Sequence, residues 1–318
     1  MSAHWLDRPE AGGWFAVRLI GFIGLHCGRA GARLLLYPIT LYFYFRRGPE
    51  RRTARDYFRH LTGTPGSPWQ VMRLIHAFAA TILDRVFLLA RGVAAFRVNT
   101  QGVDELRAHL AGGRGVLLIG AHVGSFGVLR ALAVEHPDCP LKLVMDRSKT
   151  PALTALLEAL APDLAPEVID TARGGAEVVL ALSDAARDGA MVALLGDRAR
   201  PREPTCEVPF LGDVAPFPVA PWQIAALLDV PVMLCLGMYR GGNRYDLVFE
   251  TLAEQVTLPR RGRAVAAAAY ARHYAARLEH YVRDAPFNWF NFYDFWQPQA
   301  LADQEPPVRA DLRQARAS

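Results

Sequence analysis

GVLLIGAHVGSFGVLRAL, residues 115–132, joins an uninterrupted apolar run to a stretch with helical spacing. Gly115 to Ala121 reads as a strand buried on both faces, as in a parallel sheet, and not as a half-exposed strand with alternating polarity. His122 follows at once, and GSFGVLRALAVEH reads as the helix after it. A group at this junction lies outside the carboxyl end of a strand, where open α/β sheets bind their ligands. The adjoining helix N-terminus disfavours a charged imidazole, so the ring is expected to be neutral and able to act as a general base.

Strand and helix alternate outward from this junction. Strands are expected at Leu141–Met145, at EVID ending on Asp170, at AMVALLGD ending on Asp197, and at VPVMLCLGMYR and RYDLVFE. Helices are expected at TPALTALLEAL (150–160), GGAEVVLALSDAARDG (174–189), around Trp222–Leu228, and over 262–284. Between Asp197 and Trp222 the chain reads as an irregular Pro-rich loop. This alternation predicts an α/β fold with a mostly parallel central sheet covered by helices.

The most apolar region, residues 14–45, is interrupted by Arg18, Arg29 and Arg33 and closed by Arg46 and Arg47. No run reaches the roughly 18 residues of a spanning helix. Trp14, Tyr37, Tyr42 and Tyr44 suit the water–lipid boundary, so an interfacial helix or shallow hairpin is expected. A helix pair buried against the rest of the protein and a true span are the alternatives. Residues 48–68 read as a polar stretch, and 69–91 as an amphipathic helix. The expected division is an apolar and amphipathic helical membrane-associating region over 1–92, then an α/β domain over 93–318 ending in an aromatic tail.

Lys+Arg outnumber Asp+Glu by 36 to 31, and all the basic residues but Lys142 and Lys149 are arginine. Such a balance favours anionic headgroups or an acidic carrier protein, though GC-rich codon usage produces the same excess. A hydrophobic share of 52% and a mean hydropathy of +0.09 are high for a freely soluble enzyme and low for a multi-span membrane protein. Cys27, Cys139, Cys206 and Cys235 form no CxxC pair, which argues against zinc or a disulfide framework and fits a reducing compartment. The first ten residues are polar and mixed in charge, so no signal peptide is expected. There is no HxxxH or HExxH metal pair, no phosphate-binding glycine loop, and no GxSxG elbow, since Ser125 lies in VGSFG. PFNWFNFYDFW (286–296) holds seven aromatics with no basic residue among them, which argues against nucleic acid. It reads as a tail packed on the domain near the mouth of the site.

GAHVGSFGVLRAL resembles the HxxxxD/E block of the lysophospholipid acyltransferase superfamily, in the HxGNWE or HxGSFE form of its lipid A late-acyltransferase branch. GRGVLLIGAH is similar to the lead-in strand of that branch, and LLGDRAR with VPFLGDVAPFPVAPWQIAALLDVPVML to its second block. PFNWFNFYDFW resembles the ending of a subgroup found with aryl-polyene and xanthomonadin-type gene clusters. The resemblance covers roughly residues 95–297. It implies an enzyme on the cytoplasmic face of the bacterial inner membrane, with the lipid surface and an acyl donor as partners. His122 would deprotonate an acceptor hydroxyl, of a lipid or a polyketide-type molecule, for attack on the thioester of acyl-CoA or acyl carrier protein. No resident cofactor and no metal are implied. Backbone amides around Gly124 and Ser125 are expected to hold the thioester oxyanion.

In this family a carboxylate five residues on orients the histidine; here that position is Gly127. Three readings follow. Another carboxylate serves, either Asp146 at the next strand end or Asp197, whose position the resemblance associates with an acceptor or headgroup contact. Or the chain is an impaired homologue that binds lipid or carrier protein. Or the glycine is an engineered or sporadic change at a Glu position. Arg147, Arg198 and Arg200 follow the two acidic strand ends and suit a phosphate or carboxylate, or are exposed loop arginines. Phe210 and Phe217 line an acyl tunnel or pack in the core.

Overall fold

The computed structural model describes residues 14–128, 140–149, 168–200 and 203–296, with side chains of the first helix from residue 28 onward. The helix expected over 150–160, Cys27, Cys139 and most of the helix after His122 lie outside the described residues or side chains.

Three helices come first: α1 (Trp14–Arg46), α2 (Gly48–Thr62) and α3 (Pro68–Arg91). α1 breaks at Gly28, whose φ of 69° leaves the helical region. α2 occupies the stretch that reads as polar. Only Ala54, Tyr57 and Phe58 are buried, at i, i+3 and i+4, and this minimal stripe seats the helix while its other faces remain polar. α3 starts with a reciprocal capping box between Ser67 and Gln70. No helix among the described residues is long and apolar enough to cross a membrane.

The sheet elements follow: β1 (Arg97–Gln101), α4 (Val103–Ala111), β2 (Val116–Gly120), β3 (Leu141–Met145), β4 (Val168–Asp170), α5 (Gly175–Arg187) and β5 (Met191–Leu195). Then come β6 (Thr205–Phe210), β7 (Asp213–Pro218), α6 (Ala220–Leu228), β8 (Val232–Tyr239), β9 (Arg244–Ala253) and α7 (Arg263–Asp284). The seven-stranded sheet has the order β1-β9-β8-β2-β5-β3-β4. β8, β2, β5, β3 and β4 run parallel, β9 turns back against β8, and β1 runs with β9. The fold is α/β with a mostly parallel sheet, as the alternation predicts. The expected loop between Asp197 and Trp222 instead contains the antiparallel hairpin β6–β7. Its turn places Leu211 (φ 53°) and Gly212 (φ 85°) in the left-handed region. Leucine is an unusual residue there, so the usual Asn-Gly or Asp-Gly signal is missing. The Leu211 amide donates to Glu279 Oε2 of α7 at 2.6 Å, which anchors the turn.

β2 is buried along its whole length, and its alternate residues feed two cores. Leu117 and Ile119 join a core with Tyr57, Leu74, Tyr274 and Trp289; Val116 and Leu118 join Met191, Met233 and Leu247 on the other face. The first core runs without a gap from α2 and α3 into the sheet. α1 is fastened to α3 by Asp84, a fully buried carboxylate. It accepts from Arg29 at 2.8 and 2.9 Å, from Arg33 at 2.9 Å and from the Tyr245 hydroxyl at 2.8 Å. Away from that contact, α1 exposes Leu34, Tyr37, Leu41, Tyr42 and Phe45 along one stripe.

Candidate active site

The register of the two central strands builds the site. β2 and β5 pair Gly120 with Leu195, and His122 and Asp197 each stand two residues further on. Neighbouring strands lie about 4.8 Å apart, close enough for side chains leaving the same edge to meet. His122 Nδ1 lies 2.8 Å from Asp197 Oδ1, and the His122 amide donates to Oδ2 at 3.1 Å. The indole N–H of Trp289 also donates to Oδ2, at 3.2 Å. Asp197 is fully buried, whereas the His122 side chain keeps 30% of its surface exposed.

Burial opposes the charge on Asp197. The facing His122 ring, its hydrogen bonds and the nearby Arg198 outweigh that and hold the carboxyl well below the usual carboxylate range. Burial likewise lowers the His122 imidazole, helped by Arg198 and Arg85, while Asp197 pulls it the other way. Both directions favour an ionised carboxylate beside a neutral imidazole. An ionised carboxylate only accepts hydrogen bonds, so in that state a neutral ring carries its proton on Nδ1 and its lone pair on Nε2. No described residue bonds to Nε2.

The C-terminal aromatic segment holds the loop that carries His122. Phe290 N–H donates to the His122 carbonyl at 2.9 Å, and Gly124 N–H to the Asn288 carbonyl at 2.8 Å, so residues 122–124 pair with 288–290 like two strands. The Asn288 side chain accepts from Tyr239 N–H at 2.6 Å and donates to the Tyr239 carbonyl at 3.1 Å, tying the segment to the end of β8. Gly124 has φ +60°, and a Cβ there would stand 2.0 Å from the Gly237 carbonyl oxygen, so only glycine fits. Trp289 is enclosed by Tyr57, Phe210, Phe295 and Trp296. The role of Trp289 escaped sequence reasoning, because an aromatic-rich tail signals packing and not which indole finds a carboxylate.

Several expected site residues stand elsewhere or do something else. Asp146 ends β3, which β5 separates from β2 by about 10 Å in total. Its Oδ1 accepts from the amide and hydroxyl of Ser148, and the structure does not bring it to the ring. The amides of Gly124 and Ser125, expected to hold an oxyanion, are already committed to the Asn288 and Gly237 carbonyls, the latter at 2.7 Å. Arg198 lies beside Asp197 but is largely buried; it donates to the Phe290 carbonyl at 2.6 Å and stacks on Tyr293. It braces the aromatic segment, while its charge still reaches the ring. Arg147 sits with Asp170 at the β3–β4 end, and Arg200 bonds Thr171 and Glu203; neither bond leads to His122. Phe210 and Phe217 are fully buried and pack on each other, so they belong to the core. Among the described residues no group of His, Cys, Asp or Glu is arranged to hold a metal ion.

One family model matches the chain, that of bacterial lipid A biosynthesis acyltransferases, over residues 76–297. Among curated proteins none matches.

Proposed function

For a chain that belongs to the bacterial lipid A biosynthesis acyltransferase family, we propose that His122 and Asp197 form the base–acid pair of an acyl transfer from a thioester to a hydroxyl. His122 Nε2 takes the proton of the acceptor hydroxyl as its oxygen attacks the thioester carbonyl. The imidazolium so formed is stabilised by Asp197 through Nδ1, and returns its proton to the departing thiolate as the intermediate collapses. The observation that carries this reading is the 2.8 Å contact between Nδ1 and a sealed carboxylate, with no described residue bonded to Nε2. A carboxylate at position 127 is then unnecessary, because the orienting role is filled from β5.

The donor is acyl-CoA or acyl carrier protein, and the acceptor a lipid or polyketide-type hydroxyl, in keeping with the aryl-polyene-type ending of the chain. We place the protein on the cytoplasmic face of the bacterial inner membrane. The exposed apolar stripe of α1 supports this, since Arg46, Arg47, Arg51 and Arg52 follow it directly and suit anionic headgroups.

The test is thiol release from acyl-CoA and acyl carrier protein in the presence of membrane extract, comparing the wild type with His122→Ala and Asp197→Asn. Loss in both variants supports the dyad. Equal release from all three proteins overturns it, and leaves a binding protein of the same fold.

A further inference from the structure

Among the described residues, Trp69 is the largest apolar side chain left exposed, with 59% of its surface open. It stands in the first turn of α3, and Arg73 follows one turn on. The Arg73 guanidinium carbon lies 4.1 Å from the Phe287 ring centroid and 5.1 Å from that of Trp69. The two rings meet edge to face with centroids 6.1 Å apart, so Arg73 occupies an aromatic corner that holds an exposed guanidinium in place. Among the described residues Arg73 makes no ion pair and no hydrogen bond. Its N–H donors are left to water or to a ligand.

This corner continues the face by which α3 meets α1. Trp69, Arg73, His76, Ala80 and Asp84 recur every three or four residues and so share one side of the helix. At the far end Asp84 bonds Arg33; nearer the corner, His76 meets Thr40 at 3.3 Å and stacks on Tyr37. The two helices therefore run antiparallel, and α1 ends level with the start of α3. Trp69 and Arg73 are thus level with Phe45 and Arg46, where the exposed apolar stripe of α1 gives way to arginines. A surface indole suits the boundary of water and lipid, with its ring buried and its N–H wet. A planar guanidinium suits the oxygens of a phosphate.

We infer that Trp69 and Arg73 form a lipid-headgroup site. The indole enters the boundary of the bilayer, and the guanidinium holds the phosphate of an anionic phospholipid. This rests on placing the protein at the membrane through α1, and adds a second point of contact on α3. A single helix lying on a bilayer leaves the protein free to roll about that helix; two points fix which side is turned to the lipid. Phe287, which forms one wall of the corner, precedes Asn288, whose carbonyl accepts from Gly124 N–H. The side turned to the bilayer is then the one that carries the segment holding the His122 loop.

The test mixes the full chain with vesicles of phosphatidylcholine, with and without phosphatidylglycerol. Sedimentation reads binding, and bromine-labelled acyl chains read which tryptophans are near lipid by quenching their emission. The quenched fraction of the emission should fall in Trp69→Phe, which keeps a ring beside Arg73 but removes the indole. Arg73→Gln should weaken binding to the phosphatidylglycerol vesicles roughly fivefold, the share of one arginine at an anionic surface. Its binding to pure phosphatidylcholine should match the wild type. An equal quenched fraction in wild type and Trp69→Phe, or equal binding of wild type and Arg73→Gln to the anionic vesicles, overturns the headgroup site and leaves the α1 contact standing. A wild type that sediments with neither kind of vesicle overturns both.

Discussion

His122 and Asp197 stand at matching positions on adjacent parallel strands, each two residues past the Gly120–Leu195 pair, and their side chains meet at 2.8 Å. Strand register thus brings together two residues 75 apart in the chain. Asp197→Asn should preserve the fold, because the amide matches the carboxylate in shape. It should nevertheless lower kcat by about 10⁴-fold, as a wrong histidine tautomer does in a comparable triad. Steady-state acyl transfer alongside circular dichroism checks both halves; a loss below tenfold with intact structure would remove Asp197 from the dyad.

The pH dependence has a definite sign. A general base works only when deprotonated, and burial with Arg198 lowers the His122 imidazole from its ordinary 6.5. The acid limb of kcat/KM should therefore have its midpoint below 6.5, with full activity above it. Arg198→Gln removes a lowering influence and should move that limb up. Asp197→Asn removes a raising one and should move the residual activity's limb down. Shifts of the same sign in both variants would contradict the electrostatic account.

Trp289 donates its indole N–H to the fully buried Asp197 carboxylate. Trp289→Phe keeps an aromatic ring among Tyr57, Phe210 and Phe295 but deletes the N–H. Hydrogen bonds to charged groups are worth about 1.5–3 kcal/mol, so chemical denaturation should show a loss of that order. Part of it should vanish when the Asp197→Asn background is used, since the two residues then no longer share a charge.

Asp84 joins α1 to the rest of the protein through Arg29, Arg33 and Tyr245. Asp84→Ala leaves two arginines facing a buried apolar site and should cost about 3–5 kcal/mol, as breaking a buried ion pair does. Limited proteolysis should cut within α1 well before the sheet unfolds. Uniform resistance would show that α1 is held by its apolar contacts alone.

The α1 stripe predicts a membrane phenotype. Replacing Leu34, Leu41, Tyr42 and Phe45 together by serine should release the protein from anionic vesicles while leaving the Tyr37–His76 stacking on α3 and the Asp84 contacts in place. Vesicle sedimentation reads this directly. Substituting Arg46 and Arg52 by glutamine should weaken binding by about 1 kcal/mol for each, an effect that high salt erases.

Much of the sheet is legible because a strand buried on both faces leaves an unbroken apolar run, as in residues 116–120, and a histidine right after such a run declares itself. The choice between Asp146 and Asp197 is not legible. Both end strands at the same edge, and only the insertion of β5 between β2 and β3 decides which one meets the ring. The amides of Gly124 and Ser125 misled for a similar reason, since the carbonyls that engage them belong to Asn288 and Gly237, more than 100 residues away. α2 stayed hidden because three buried residues in fifteen make too faint a pattern. Phe210 gave no sign of whether it faced a tunnel or a core, since its neighbours Trp289 and Phe295 come from the far end of the chain.

The pairing of residues 122–124 with 288–290 also makes the His122 loop depend on a stretch synthesised late. A ribosome that has reached Asp284 has already made every strand of the sheet, His122 and Asp197 included. The indole donor and the backbone groups that hold the His122 loop come only with the next few codons. A nascent chain at that point holds both His122 and Asp197 but lacks the segment whose backbone pairs with residues 122–124.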